Sequence, residues 1–160
     1  MTRGRLASIN VSHGGVPKTP IGETFVSTGG VGGDRHRYRF HGGPDRAVVL
    51  YSLELIHALQ AEGHPIDVGT IGENLTLALV DWNAMVPGIE LAIGDARLRV
   101  TTFTAPCNTI TPSFLNGDAS RVSQKAHPGW SRVCARVLVE GTVRVGDRVD
   151  VVGEEPPATC

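Results

Sequence analysis

The chain has 160 residues, a net charge of −1, 41% hydrophobic and 19% charged residues, a balance that fits one globular domain with a single core. Near-neutral charge gives no general reason to bind nucleic acid or a membrane surface, and no apolar run approaches the ~20 residues that cross a bilayer as a helix. Arg3 and Arg5 have no apolar stretch behind them, so no secretory signal is read and a cytoplasmic location is expected.

Lys18 and Lys125 are the only lysines among 15 basic residues. The arginine excess reflects either genome composition or a need for planar forks that hold anions bidentately. The three cysteines, Cys107, Cys134 and Cys160, lack CxxC spacing, which suggests neither a disulfide framework nor a zinc knuckle. Twenty glycines and ten prolines are spread along the whole length. Such frequent punctuation predicts short elements, mostly strands.

In chain order, the alternation over 5–11 predicts a strand, followed by a β-rich apolar run over 46–51. Ser52 is a predicted cap for a helix whose stripe is Leu53, Leu55, Ile56, Ala58 and Leu59 and which stops at Glu62-Gly63. Residues 74–80 predict a strand with Leu75, Leu77 and Leu79 on one face. Gly94-Asp95 and Gly146-Asp147 each sit between alternating runs and predict hairpins, the second ending a C-terminal meander from 136 onward. A weaker helical turn is expected after Pro112, and residues 153–160 are expected to fray. Many short strands with few helices predict a mostly β fold with small helices, bent into a barrel.

The densest polar stretch is 32–46. If 35–39 is extended, Arg35, Arg37 and Arg39 share one face, which suits a phosphate or carboxylate as well as a solvated strand surface. His41-Gly42-Gly43-Pro44-Asp45-Arg46 lets a backbone approach a ligand closely, although a plain turn uses the same residues. His36, His41 and His127 match no spacing of zinc or iron motifs, so no first-row metal site is expected. Pro106 closes the strand over 97–103 and places Cys107 beyond its end, where loops display reactive groups. There Cys107 is a nucleophile, a sulfur carrier or a soft-metal ligand, against the alternative of a small buried hydrophobe. Cys134, inside a predicted strand, fits the buried reading. The segments 72–76 and 127–132 either line a pocket or serve as turn chemistry.

In this order, Gly33-Asp34-Arg35-His36, His41 through Val48, Gly72-Glu73-Asn74-Leu75-Thr76, Ile93-Gly94-Asp95, Pro106-Cys107, and Ala135-Arg136-Val137 with Gly146-Asp147 resemble the MOSC domain, in its small stand-alone bacterial form. The resemblance covers about residues 31 to 152 and implies a single domain around a strongly bent, barrel-like sheet. It implies a molybdenum cofactor (molybdopterin), with Cys107 as the catalytic thiolate ligand to the metal. Asp34, Arg35, His36, His41, Gly42, Gly43, Asp45, Arg46 and Asn74 are then the expected cofactor-binding set.

The activity implied is an oxidoreductase that reduces N-hydroxylated small molecules, with electrons from an external donor because no flavin, haem or iron–sulfur signature is present. Two other readings stay open. One is a sulfur or cofactor carrier that receives a persulfide on Cys107 from a cysteine desulfurase; the other is a cofactor-free binding module. Larger amidoxime-reducing relatives carry an extra N-terminal barrel, so part of the cleft is expected to be missing here or supplied by a second subunit in a homo-oligomer.

Overall fold

Apolar alternation along the chain resolves into eleven strands and one α-helix in a computed structural model that describes residues 4–34 and 43–153. The strands are β1 (Gly4–Val11), β2 (Thr19–Ile21), β3 (Glu23–Ser27), β4 (Gly30–Val31), β5 (Val48–Ser52), β6 (Leu75–Ala78), β7 (Glu90–Ile93), β8 (Ala96–Phe103), β9 (Val133–Val139), β10 (Gly141–Arg144) and β11 (Arg148–Gly153). Seven of them close a ring in the order β11-β7-β8-β9-β5-β6-β1, and β1 returns to β11 through Gly4 opposite Val149 and Arg5 opposite Arg148. Closure removes the free edges that an open sheet must otherwise protect. The far end of β1 carries β2, while β10, β3 and β4 form a second, three-stranded sheet. Leu6, Leu50, Leu77, Leu91, Leu98 and Val133 are buried in one core cluster. Each side chain so buried contributes about 1.5–3 kcal/mol.

The parallel pair β5–β6 requires a crossover, and helix α1 (Leu53–Ala61) supplies it. The predicted cap is present: the Leu55 N–H donates to the Ser52 hydroxyl at 3.2 Å. Ser52→Ala is expected to lower the unfolding free energy by about 1 kcal/mol, read as a lower urea midpoint at unchanged slope. In the return loop, Gly69 has φ +82° and a Cβ there would lie 2.3 Å from the Lys18 carbonyl oxygen. Only glycine allows the Lys18 N–H to reach the Gly69 carbonyl at 2.9 Å.

Several sequence expectations change. The Gly94-Asp95 hairpin is present, with Ile93 opposite Ala96. Gly146-Asp147 also turns the chain, but β10 pairs with β3 and β11 with β7 and β1, so neither the second hairpin nor the C-terminal meander exists. A turn reverses direction without deciding which strand edge is nearest, and here β3 takes β10 first. The strand expected over 74–80 stops at Ala78, because Leu79 adopts φ 62° and turns outward. All four residues of β6 are buried, Thr76 included: β5 and β1 flank its two edges, and α1 packs against it. Arg46 belongs to a 3-10 turn, Pro44–Arg46, rather than to β5. The helical turn expected after Pro112 starts earlier, at Asn108, and is followed by 3-10 turns at Leu115–Gly117 and Ala119–Val122. Gly153 closes β11 instead of opening the expected tail, whose remainder lies outside the described residues.

Candidate functional site

The β8–β9 ladder ends with the Thr104 N–H donating to the Arg132 carbonyl at 2.9 Å. Beyond it Pro106 forbids further pairing, and Cys107 stands exposed in an extended conformation just before the Asn108–Ser113 turn. The sulfur lies 2.8 Å from the Thr109 hydroxyl, which donates to it when the sulfur is an anion. Partial burial works against the anion. The Thr109 hydroxyl and N–H, the charge of Arg132 and the Ile110 N–H outweigh that, and the thiol sits below its ordinary value.

Behind this loop lies a charged interior that the sequence did not reveal. Arg132 is buried, donating from Nη1 to the Ile71 carbonyl at 2.8 Å and from Nη2 to the Ala105 carbonyl at 3.2 Å. Burial lowers its basicity, opposed by Cys107, Cys134, Glu73 and Tyr51. Glu73 is fully buried; Oε2 accepts from the Thr76 hydroxyl at 3.3 Å, and Oε1 has no hydrogen-bond partner among the described residues. Burial pushes this carboxyl up to about 7, against backbone N–H groups, Thr76 and the Arg132 charge. The 3-10 turn Ala119–Val122 is held to the end of α1: Arg121 donates to both Glu62 oxygens at 2.9 and 2.8 Å and stacks over Trp130.

The expected cofactor-binding residues separate into distinct places. The Asp34 side chain is buried and accepts from Lys18 Nζ at 2.6 Å, from the Ser12 N–H at 2.9 Å and from Asn74 Nδ2 at 2.9 Å. Asn74 also donates to the Asn10 carbonyl at 3.4 Å and accepts from the Val49 N–H at 2.9 Å. Both side chains are therefore spent inside the scaffold, where they tie β1, β5 and the start of β6. Gly43, Asp45 and Arg46 lie on an exposed turn against the β8–β9 surface. There Asp45 accepts from Arg136 Nε at 2.8 Å and its carbonyl accepts from the Thr101 hydroxyl. The Arg46 side chain is exposed and has no partner among the described residues. Arg35, His36, His41 and Gly42 lie outside the described residues.

Cys134 is buried in β9, its sulfur 3.0 Å from the Thr104 hydroxyl. A pocket of about 210 Å³ opens beside this end, lined by Trp82, Met85, Phe103, Gln124 and Ser131 among others, without Cys107. Among the described residues no three His, Cys, Asp or Glu side chains gather as a metal site, and no helix is long and apolar enough to cross a membrane.

The Pro106-Cys107 loop, the glycine turn before β5 and the barrel strands from β5 to β9 fall within a sequence match to the MOSC domain that runs over residues 37–150. The chain belongs to the MOSC domain family. It is 32% identical over 142 residues to a reductase from Gibberella moniliformis (strain M3125 / FGSC 7600), a match covering 85% of this chain and 25% of that protein. It is 28% identical over 113 residues to YflK of Bacillus subtilis (strain 168), covering 70% of this chain and 50% of YflK. The MOSC chain thus spans a quarter to a half of these relatives. In fold it resembles the crystal structure of YiiM from Geobacillus stearothermophilus at a TM-score of 0.74 and 24% identity, covering 93% of this chain and 75% of YiiM.

Proposed function

We propose that this MOSC protein is a molybdenum-cofactor oxidoreductase that reduces N-hydroxylated compounds, with Cys107 as the protein ligand to the metal. One observation carries the reading: an exposed sulfur, supported as an anion by Thr109 and Arg132, at the end of a rigid barrel strand. A soft thiolate in that state would suit a metal that the pterin also holds through sulfur. The reductase name of the fungal relative supports redox chemistry.

The residues present fit the cofactor at two points: Cys107 would hold the metal, and Arg46, exposed and without a partner among the described residues, would hold the pterin phosphate through its planar fork. When bound, the cofactor supplies the two electrons that, with two protons, convert an N-hydroxyl into N–H and water. The chain's own work is orientation. Thr109 and the Ile110 N–H aim the sulfur, Asp45 and Arg136 pin the glycine turn to β8–β9, and Asp34 with Asn74 ties β1, β5 and the start of β6. Electrons come from a separate donor protein.

Protein produced in a molybdopterin-competent host is expected to carry molybdenum and to reduce a hydroxylaminopurine or amidoxime with reduced viologen as donor. Cys107→Ser is expected to lose both. Equal molybdenum in wild type and Cys107→Ser would overturn the ligand assignment. A persulfide on Cys107 after treatment with a cysteine desulfurase, with no metal bound, would replace this reading with a sulfur carrier.

A further inference from the structure

Arg97, Arg99 and Arg136 share the outer wall of the barrel. Arg97 and Arg99 alternate with buried Leu98 and Val100 along β8, and Arg136 stands between buried Ala135 and Val137 on β9. The registers make them neighbours, since Arg99 lies opposite Glu90 on one side and Arg136 on the other. Glu90 holds both β8 arginines, its Oε1 accepting from Arg97 Nε at 3.0 Å and its Oε2 from Arg99 Nη2 at 2.8 Å. That carboxylate side chain is only 8% exposed, whereas the two arginine side chains are 44% and 42% exposed. The acid is sunk beneath the wall and the cations face solvent, with their planar forks already oriented. Asp150, at the margin, is matched by Arg148.

Apolar side chains stand on the same strand end. Leu138 and Val139 are exposed on β9, and Val139 lies opposite Arg97. Exposed ion pairs contribute little to stability, and a solvated strand has no use for exposed leucine and valine beside them. Oriented arginine next to aliphatic surface suits a protein interface, whose core is apolar and enriched in arginine.

Charge decides the occupant. Two copies of this chain packed wall to wall would set arginine against arginine, which disfavours self-pairing. A nucleic-acid backbone would meet the arginines and leave Leu138 and Val139 unused. An acidic protein meets both. Asp45 accepts from Arg136 Nε at 2.8 Å and so joins this wall to the Pro44–Arg46 turn.

We propose that the outer wall of β8 and β9 is the docking surface for an acidic electron-carrier protein. The proposal rests on the molybdenum reading, which needs a donor, and it sets that donor beside the turn whose Arg46 would hold the cofactor.

Docking is tested on the apo chain, without turnover. Isotope-labelled protein is titrated at low salt with a flavodoxin and with a plant-type ferredoxin, both acidic carriers, and amide shifts are followed for wild type, Arg97→Gln/Arg99→Gln and Leu138→Asp. At least one carrier is expected to shift the amides of β8 and β9, with binding weakened about tenfold by either variant and weakened further by added salt. Should the double variant fail to fold over the buried Glu90, Leu138→Asp decides alone. No binding by either carrier, shifts confined to another face, or equal binding by the folded variants overturns the surface. Shifts of the same amides with protein concentration alone, or with a DNA duplex but neither carrier, also overturn it, in favour of a second copy or a nucleic acid. Molybdenum content separates this proposal from the cofactor reading. A metal-free protein that still binds a carrier through this wall ends the cofactor reading alone, and a molybdenum enzyme that turns over with viologen yet binds neither carrier ends this proposal alone.

Discussion

Asn74→Ala is expected to destabilise the protein by about 3 kcal/mol, a drop of roughly 10 °C in Tm, before any effect on a cofactor. The side chain closes three hydrogen bonds at once, to the Val49 N–H, the Asn10 carbonyl and the buried Asp34 carboxylate. Truncation leaves the Val49 N–H without its acceptor and takes one of the donors from a buried anion, whose other supports are Lys18 and the Ser12 N–H. Unmade bonds to buried groups, and charge-assisted ones above all, dominate such losses. Asn74→Asp is the sharper variant. It sets a second carboxylate against Asp34, so its loss at neutral pH should exceed that of alanine. Thermal melts of both variants decide the matter. An unchanged Tm together with lost molybdenum would make Asn74 a ligand contact instead of a scaffold tie.

That distinction marks where sequence reasoning reached and where it stopped. The Gly94-Asp95 hairpin and the Ser52-capped helix are local objects, set by residues a few positions apart, and both are present. The turn at Gly146-Asp147 looks the same on paper, but its flanking strands belong to different sheets, a choice made by β3 more than a hundred residues upstream. The place of Cys107 beyond a strand end is legible because Pro106 has no N–H to continue the ladder. Arg132 was not: strand alternation groups it with Cys134 and Arg136, and Arg136 is indeed exposed. The carbonyls of Ile71 and Ala105 close over Arg132 and reverse its environment. Glu73 sits in a segment that reads as either pocket lining or turn chemistry, and only the return of the chain between β5 and β1 buries it. A charged residue within two positions of an apolar strand start is the available signal in both cases.

Glu73 carries the clearest consequence of that burial, because its folded-state carboxyl is raised from the ordinary 4.5 to about 7. The unfolded chain gives up this proton near 4.5, whereas the folded chain holds it to near neutrality. The stabilisation from Glu73 is therefore complete below about pH 4.5 and is lost as pH rises to 7, a total of about 3 kcal/mol at ~1.4 kcal/mol per unit. Glu62, Glu90 and Asp118 are shifted the other way, held low by Arg121, by Arg99 with Arg97, and by Ser120, respectively. Their contributions disappear as pH falls through their depressed values, below the Glu73 window. Urea unfolding of wild type and Glu73→Gln at half-unit steps across that window isolates the effect. Wild-type stability is expected to fall relative to Glu73→Gln as pH rises, leaving the amide variant the more stable protein above neutrality, since Gln never has to ionise inside the barrel. Parallel curves for the two proteins across the window would show that Glu73 ionises without penalty, and that the unpaired Oε1 is solvated or paired in solution.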